Sequence, residues 1–162
     1  MKTIIVDDIF DENIIQDTLK KLGNNNFSVE QWCSLHLNHN YEILCRSLLS
    51  ECKKYYNLSD CIGYEFWTQN NTRPSGWHYD KDERFHNTTG DYKFPICSII
   101  LYLKVNNLTG GLLHLEDIII TPKSNRMVIF PPGVFHYVEE FTGERISFLI
   151  NPWNYDISLG MT

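Results

Sequence analysis

Apolar residues recur at helical spacing in two stretches near the start of the chain. The first predicts a helix over residues 12–22, where Asp11 suits the N-cap and Gly23 the C-terminal stop. A short strand is predicted before it, over residues 3–6. The second stretch predicts a helix over residues 40–56. Its apolar stripe consists of Ile43, Leu44, Leu48, Leu49 and Cys52.

From Gly63 onward the apolar period changes to two, and β-branched and aromatic residues dominate. Segments rich in Gly and Pro separate the strands that this pattern predicts. The predicted strands cover residues 63–69, 77–80, 96–105, 111–116, 118–121, 126–130, 134–139 and 144–151. This order predicts a mainly β fold with supporting helices, a double-stranded β-helix or jelly roll. We expect one domain over 1–162, with helical support in 1–60 and the jelly-roll core in 61–155.

Composition narrows the class of partner. The 162 residues carry a formal charge of −6, so nucleic acid and anionic membranes are not expected partners. No apolar run has the length of a signal peptide or a membrane span. The five cysteines form an odd, scattered set without a Cys-x-x-Cys pair. Reduced thiols and a cytoplasmic location are therefore expected.

The clearest chemical signal is the segment His78-Tyr79-Asp80, followed much later by His136. Alternate residues of an extended chain point the same way, so His78 and Asp80 share one side. With His136 they form two imidazoles and one carboxylate. This set is typical of the facial triad of non-haem Fe(II) enzymes, which leaves metal positions open for other ligands.

Arg145 follows His136 by nine residues and offers a planar cationic fork for a carboxylate. If a hairpin turns at Glu140 and Phe141, His136 lies opposite Arg145 on paired strands, unless a bulge at Gly143 shifts the register. Arg145 and Ser147 would then share an inner, polar face.

Each of these residues taken singly has an ordinary structural explanation, and only their order favours a metal centre. A rival metal set is Cys33, His36 and His39, but it lacks a fourth ligand at recognisable spacing, which favours packing or loop. His114, in a predicted strand, is a candidate to line a pocket.

Four motifs together resemble one known family. They are Gly76–Glu83 around the His-x-Asp pair, Gly110–Leu113, Phe130–His136 and Gly143–Ser147. This set is similar to the 2-oxoglutarate- and Fe(II)-dependent oxygenases, and most similar to their compact prolyl-4-hydroxylase-like branch. The similarity runs from about Ile62 to Trp153.

The resemblance implies that His78, Asp80 and His136 hold Fe(II), with 2-oxoglutarate and O2 as co-substrates. It also implies that Arg145 binds the distal carboxylate of 2-oxoglutarate, with Tyr102 or Ser147 assisting. Many relatives place a tyrosine on the strand before the His-x-Asp pair; here Trp67 or Thr68 falls near that position. Halogenating relatives replace the carboxylate ligand, so its presence as Asp80 favours hydroxylation or a related oxidation.

The implied activity is hydroxylation of an unactivated C–H bond, with succinate and CO2 as co-products. The short chain favours a free amino acid or small metabolite as substrate. The alternatives are a peptide or protein side chain, a cupin-type metalloprotein that uses no oxo-acid, and a binding module. Residues 81–95 form a candidate lid that carries specificity.

Overall fold

The computed structural model describes residues 1–23, 31–36, 38–70 and 74–158. The helices are α1 (Glu12–Leu22), α2 (Glu42–Cys52) and α3 (Glu83–Thr89). The strands are β1 (Ile4–Asp7), β2 (Gln31–Ser34), β3 (Gly63–Asn70), β4 (Ser75–His78), β5 (Ser98–Gly110), β6 (Leu113–Leu115), β7 (Ile119–Ile120), β8 (Arg126–Phe130), β9 (His136–Val138) and β10 (Phe141–Trp153). None of the helices in this described part has the length and apolarity needed to cross a bilayer.

The strands form two antiparallel sheets, which confirms the predicted jelly roll. The larger sheet has the order β1-β8-β5-β10-β3-β2, and the smaller has the order β4-β9-β6-β7. The two long strands, β5 and β10, pair with each other at the centre of the larger sheet.

Two apolar layers cover the faces of the larger sheet. One layer lies between this sheet and the helices, where Leu48 packs with Phe66 and Phe148. The other lies between the two sheets and includes Ile100, Leu115 and Phe130. Because alternate strand residues face opposite layers, each central strand contributes to both.

Several predicted boundaries were correct and others were wrong. Helix α1 has the predicted bounds, whereas α2 is shorter than predicted and its Ile43 is 71% exposed, outside the buried stripe. Strand β2 and helix α3 were not predicted. Both are short, and β2 is recognisable only through its pairing with β3.

The predicted hairpin that placed His136 opposite Arg145 is wrong. Strand β9 pairs with β4 and β6 in the smaller sheet, whereas β10 pairs with β3 and β5 in the larger one. The chain changes sheet between them. The expected irregularity at Gly143 is present as a register shift against β5. Its φ of 98° and the close approach of the Asn107 carbonyl leave no room for a side chain.

The aromatic stack between the helices and the larger sheet generates a test of the core. Phe148 is fully buried and stacks on Phe66, with ring centroids 5.5 Å apart. We expect Phe148→Ala to lower the free energy of unfolding by about 3–5 kcal/mol, since it leaves a cavity. The matched control, Ile43→Ala, should change it by less than about 0.5 kcal/mol. Denaturant titration measures both; equal losses would contradict the described packing.

Candidate metal centre

The three predicted metal ligands come together between the ends of two neighbouring strands. His78 is the last residue of β4 and His136 the first of β9, and the two are direct partners in the register of the smaller sheet. Their ring centroids lie 4.2 Å apart. Asp80 lies two residues beyond the end of β4, and its carboxylate is nevertheless on the same side as the His78 ring, as predicted.

The ligand atoms of the three side chains converge. The Asp80 Oδ1 lies 3.9 Å from the Nε2 of His78 and 3.7 Å from the Nε2 of His136. All three ligand atoms lie within 4.8 Å of one another. Among the described residues, no other group of His, Cys and acidic side chains has this geometry. Two imidazole nitrogens and one carboxylate oxygen in this arrangement match the donor set of a facial triad.

Backbone carbonyls orient both imidazoles. The Nδ1 of His78 lies 2.7 Å from the carbonyl of Gly76, and the Nδ1 of His136 lies 2.8 Å from the carbonyl of Val134. A carbonyl accepts only, so each Nδ1 carries the proton and each Nε2 keeps its lone pair. Burial lowers the pKa of His136, an effect that the nearby Asp80 opposes. The neutral imidazole is the form that binds a metal.

Ser98 holds the second oxygen of Asp80 and was missed by the sequence analysis. The Ser98 hydroxyl, on the first residue of β5, donates to Asp80 Oδ2 at 2.6 Å. This bond fixes the carboxylate and leaves Oδ1 facing the two imidazoles. The one sequence signal for Ser98 was its spacing of two from Ile100 and of four from Tyr102, which places all three side chains on the same inner face of β5.

Arg145 lies on the inner face of β10, and its side chain is 2% exposed. Its Nη1 donates to the Ser147 hydroxyl at 3.3 Å, and its guanidinium carbon lies 5.1 Å from the centre of the Tyr102 ring. Ser147 and Tyr102 are direct partners across β10 and β5. The predicted shared face of Arg145 and Ser147 is confirmed. The left-handed Gly111 lies against the Arg145 side chain, where a Cβ would be 3.3 Å from its Cδ.

The Tyr102 hydroxyl is a buried polar atom without a hydrogen-bond partner of good geometry among the described residues. Burial raises the pKa of Tyr102, although the nearby Arg145 guanidinium acts in the opposite direction. The hydroxyl therefore keeps its proton and is available as a donor. A cation and a neutral donor side by side suit one carboxylate.

Three other residues that the sequence analysis considered are Trp67, Thr68 and His114, and they lie in different parts of the fold. Trp67 faces the inner layer and lines the same cavity as His78, whereas Thr68 faces the helices and is buried there. His114 does not line this cavity. It lies on the outer face of the smaller sheet, with Nε2 2.6 Å from Glu139 Oε1.

The rival metal set is not assembled. Cys33 is fully buried, His36 is exposed, and His39 Nε2 lies 2.7 Å from the Tyr64 hydroxyl. These three residues do not form a metal-binding group within the described part of the chain.

Residues 81–95 contain helix α3 rather than loop alone. The Asp82 side chain caps this helix by accepting from the Phe85 amide, and it also accepts from the Tyr155 hydroxyl at 2.8 Å. Lys81 and Arg84 from this segment line the cavity beside Asp80. The role of the segment as a lid stays a prediction.

Several solved structures share this fold. The structure is similar to a viral collagen prolyl hydroxylase from Paramecium Bursaria Chlorella virus-1 (TM-score 0.62, 14% identity, 94% of this chain and 96% of that chain). It is also similar to a Pseudomonas putida prolyl-4-hydroxylase (TM-score 0.65, 14% identity, 96% and 94%). A third similar structure is a Trichoplax adhaerens prolyl hydroxylase in complex with a hypoxia inducible factor peptide fragment (TM-score 0.60, 11% identity, 99% and 87%).

Sequence comparison identifies the family. The profile of the 2OG-Fe(II) oxygenase superfamily matches residues 66–153, more than half of the chain. A comparison with curated proteins gives no significant match. The chain belongs to the 2OG-Fe(II) oxygenase superfamily and is a dioxygenase that uses Fe(II), 2-oxoglutarate and O2.

The role of the hydrogen bond between Ser98 and Asp80 can be tested by metal binding alone, without measuring catalysis. We expect Ser98→Ala to weaken Fe(II) binding about 10- to 100-fold, because the carboxylate loses the partner that orients it. Ser98→Thr keeps a hydroxyl and should recover most of the affinity. Anaerobic Fe(II) titration of the three proteins measures the effect. Equal affinity in wild type and Ser98→Ala would show that Ser98 does not position the ligand.

Proposed function

We propose that this enzyme hydroxylates an unactivated C–H bond, with His78, Asp80 and His136 as the ligands of Fe(II). The convergence of Asp80 Oδ1 with the two Nε2 atoms carries this proposal. Bound iron with 2-oxoglutarate and O2 supplies the oxidising power, with succinate and CO2 as co-products. The protein contributes a fixed ligand set and a cavity beside it.

Arg145 and Tyr102 would bind the distal carboxylate of 2-oxoglutarate, and Ser147 would hold the Arg145 fork in place. Ser98, beside the metal ligands, and Tyr102, beside Arg145, stand four residues apart on the inner face of β5. At about 3.3 Å per residue their Cα atoms are about 13 Å apart. We propose that an extended five-carbon diacid lies along this face of β5, between the candidate metal ligands and Arg145.

A free amino acid or small metabolite is the substrate class that we propose first. The cavity beside His78 and Asp80 has a volume of about 600 Å³. This lies within the ordinary size of small-molecule sites. A peptide or protein side chain is the second candidate, because structurally similar proteins include prolyl hydroxylases, one of them in complex with a peptide fragment.

Turnover tests the proposal directly. A panel of free amino acids and short peptides is incubated with Fe(II), 2-oxoglutarate and O2. We expect succinate to form in step with a mass gain of one oxygen on one panel member. Asp80→Ala should abolish both signals by removing a ligand, whereas Asp60→Ala, at an exposed turn, should retain them. Full activity in Asp80→Ala would refute the ligand assignment.

The Arg145 assignment predicts a selective loss of co-substrate affinity. Removing one partner of a buried, hydrogen-bonded charge pair typically costs about 2–5 kcal/mol. Arg145→Ala should therefore weaken 2-oxoglutarate binding well over tenfold while Fe(II) binding persists. Arg145→Lys should recover only part of the loss, since an ammonium lacks the planar fork.

Anaerobic titration of the Fe(II)-loaded proteins with 2-oxoglutarate measures these affinities. Arg46→Ala is the matched control, because Arg46 forms an exposed pair with Glu42 on α2. The assignment is wrong if wild type, Arg145→Ala and Arg145→Lys bind 2-oxoglutarate equally.

A further inference from the structure

The segment that follows the candidate metal ligand Asp80 brings two cationic side chains to the cavity. Lys81 and Arg84 line the cavity together with His78 and Asp80. The proposed binding of iron and 2-oxoglutarate uses neither of these two cations. A substrate whose reacting carbon lies near His78 and Asp80 therefore shares one cavity with both of them.

Asp82 anchors this segment to the rest of the fold. Its side chain accepts from the Phe85 amide at 2.9 Å and from the Tyr155 hydroxyl at 2.8 Å. Its own amide donates to the carbonyl of Lys93 at 2.9 Å. The Lys93 ammonium lies 4.2 Å from the centre of the Phe85 ring and 4.6 Å from that of Tyr155. These contacts hold the backbone of Arg84, the second residue of α3, beside the cavity.

The two cations differ in their partners. The Lys81 ammonium lies 2.8 Å from Glu83 Oε1, so its charge is matched within the fold. Arg84 is exposed at the open side of the cavity, and it forms no ion pair with a carboxylate of the described residues. A guanidinium binds a carboxylate through two parallel hydrogen bonds, which fixes the orientation of the bound group. Arg84 thus offers a positive charge and a planar set of donors to a molecule that enters the cavity.

The other carboxylates that line the cavity have contacts of their own within the fold. Asp80 Oδ2 accepts from the Ser98 hydroxyl at 2.6 Å. Glu65 Oε1 accepts from the Trp153 indole nitrogen at 3.3 Å and from the Asn151 Nδ2 at 3.4 Å. In the described structure these carboxylates do not match the positive charge of the arginine on α3, and an acidic group of a ligand can match it.

We infer that Arg84 binds a carboxylate of the substrate and thereby selects the carbon that lies next to the candidate metal ligands. This inference rests on the proposed function and specifies its substrate as a molecule with a free carboxylate. In a free amino acid that group is the α-carboxylate, and the side-chain carbons then extend towards His78 and Asp80. In a peptide the same chemistry comes from an acidic side chain.

Binding to the metal-free protein tests the inference independently of catalysis. Calorimetry compares each standard free L-amino acid with its carboxamide, which keeps the shape and removes the negative charge. Capped Gly-Asp-Gly and Gly-Glu-Gly, compared with capped Gly-Asn-Gly and Gly-Gln-Gly, form a second arm that separates a peptide side chain from a free amino acid as the source of the carboxylate. We expect at least one acid to bind about fivefold more tightly than its amide, the upper range for a partly exposed ion pair.

Variants of Arg84 locate the effect. Arg84→Gln removes the charge at an exposed position, so the protein should fold and the preference for the acid over its amide should disappear. Arg84→Lys keeps the charge without the planar fork and should recover part of the preference. The matched control is Arg46→Gln, at an exposed position on α2, which should leave the preference unchanged. The affinity for 2-oxoglutarate should be the same in Arg84→Gln and wild type, because Arg145 is proposed to bind that acid.

Equal binding of acids and amides, a preference that persists in Arg84→Gln, or no binding of any probe overturns the inference. A loss of 2-oxoglutarate affinity in Arg84→Gln also overturns it, since Arg84 would then serve the co-substrate. Loading the wild type with Fe(II) and 2-oxoglutarate under anaerobic conditions is the separate check of the proposed function. If the acids bind but iron and 2-oxoglutarate do not, the proposed function fails while the carboxylate site stands. If iron and 2-oxoglutarate bind but no probe shows a charge preference, only the substrate inference fails.

Discussion

The hydrogen bond between Ser98 and Asp80 connects the two sheets at the point where the three candidate metal ligands meet. Asp80 follows β4 in the smaller sheet, and Ser98 begins β5 in the larger one, so their 2.6 Å hydrogen bond crosses between them. It fixes one carboxylate oxygen and leaves the other within 4 Å of both imidazoles. A site that must bind a metal in one geometry depends on this kind of support.

An apolar layer surrounds the polar groups of the interior. Ile100 stands between Ser98 and Tyr102 on the inner face of β5 and belongs to this layer. Burial makes each remaining polar contact stronger but makes an unsatisfied group costly. The buried hydroxyl of Tyr102 and the buried carbonyl of Asn151 have no hydrogen-bond partner within the part of the chain that the structure describes.

Sequence reasoning singled out His78, Asp80 and His136, which the fold brings together, because a His-x-Asp pair and a distant His can be recognised from residue type and period two alone. It also predicted the two-sheet fold and the shared face of Arg145 and Ser147. It failed where the pairing of strands that are distant in the sequence determines which residues meet. The partner of His136 is His78 and not Arg145, since β9 and β10 belong to different sheets. Ser98, Glu65 and Asn151 carry no motif of their own. The pairing of β3 with β10 brings Glu65 and Asn151 to the cavity, and Ser98 meets Asp80 at the start of β5.

The central claim is that His78, Asp80 and His136 hold one Fe(II) to which 2-oxoglutarate adds beside Arg145. An anaerobic titration followed by visible absorption tests it most directly. We expect one equivalent of Fe(II) per chain and a weak visible band that develops only when iron and 2-oxoglutarate are both present. Iron binding without such a band would contradict the co-substrate site and favour a metalloprotein that uses no oxo-acid. Failure to bind iron at all would contradict the metal centre itself.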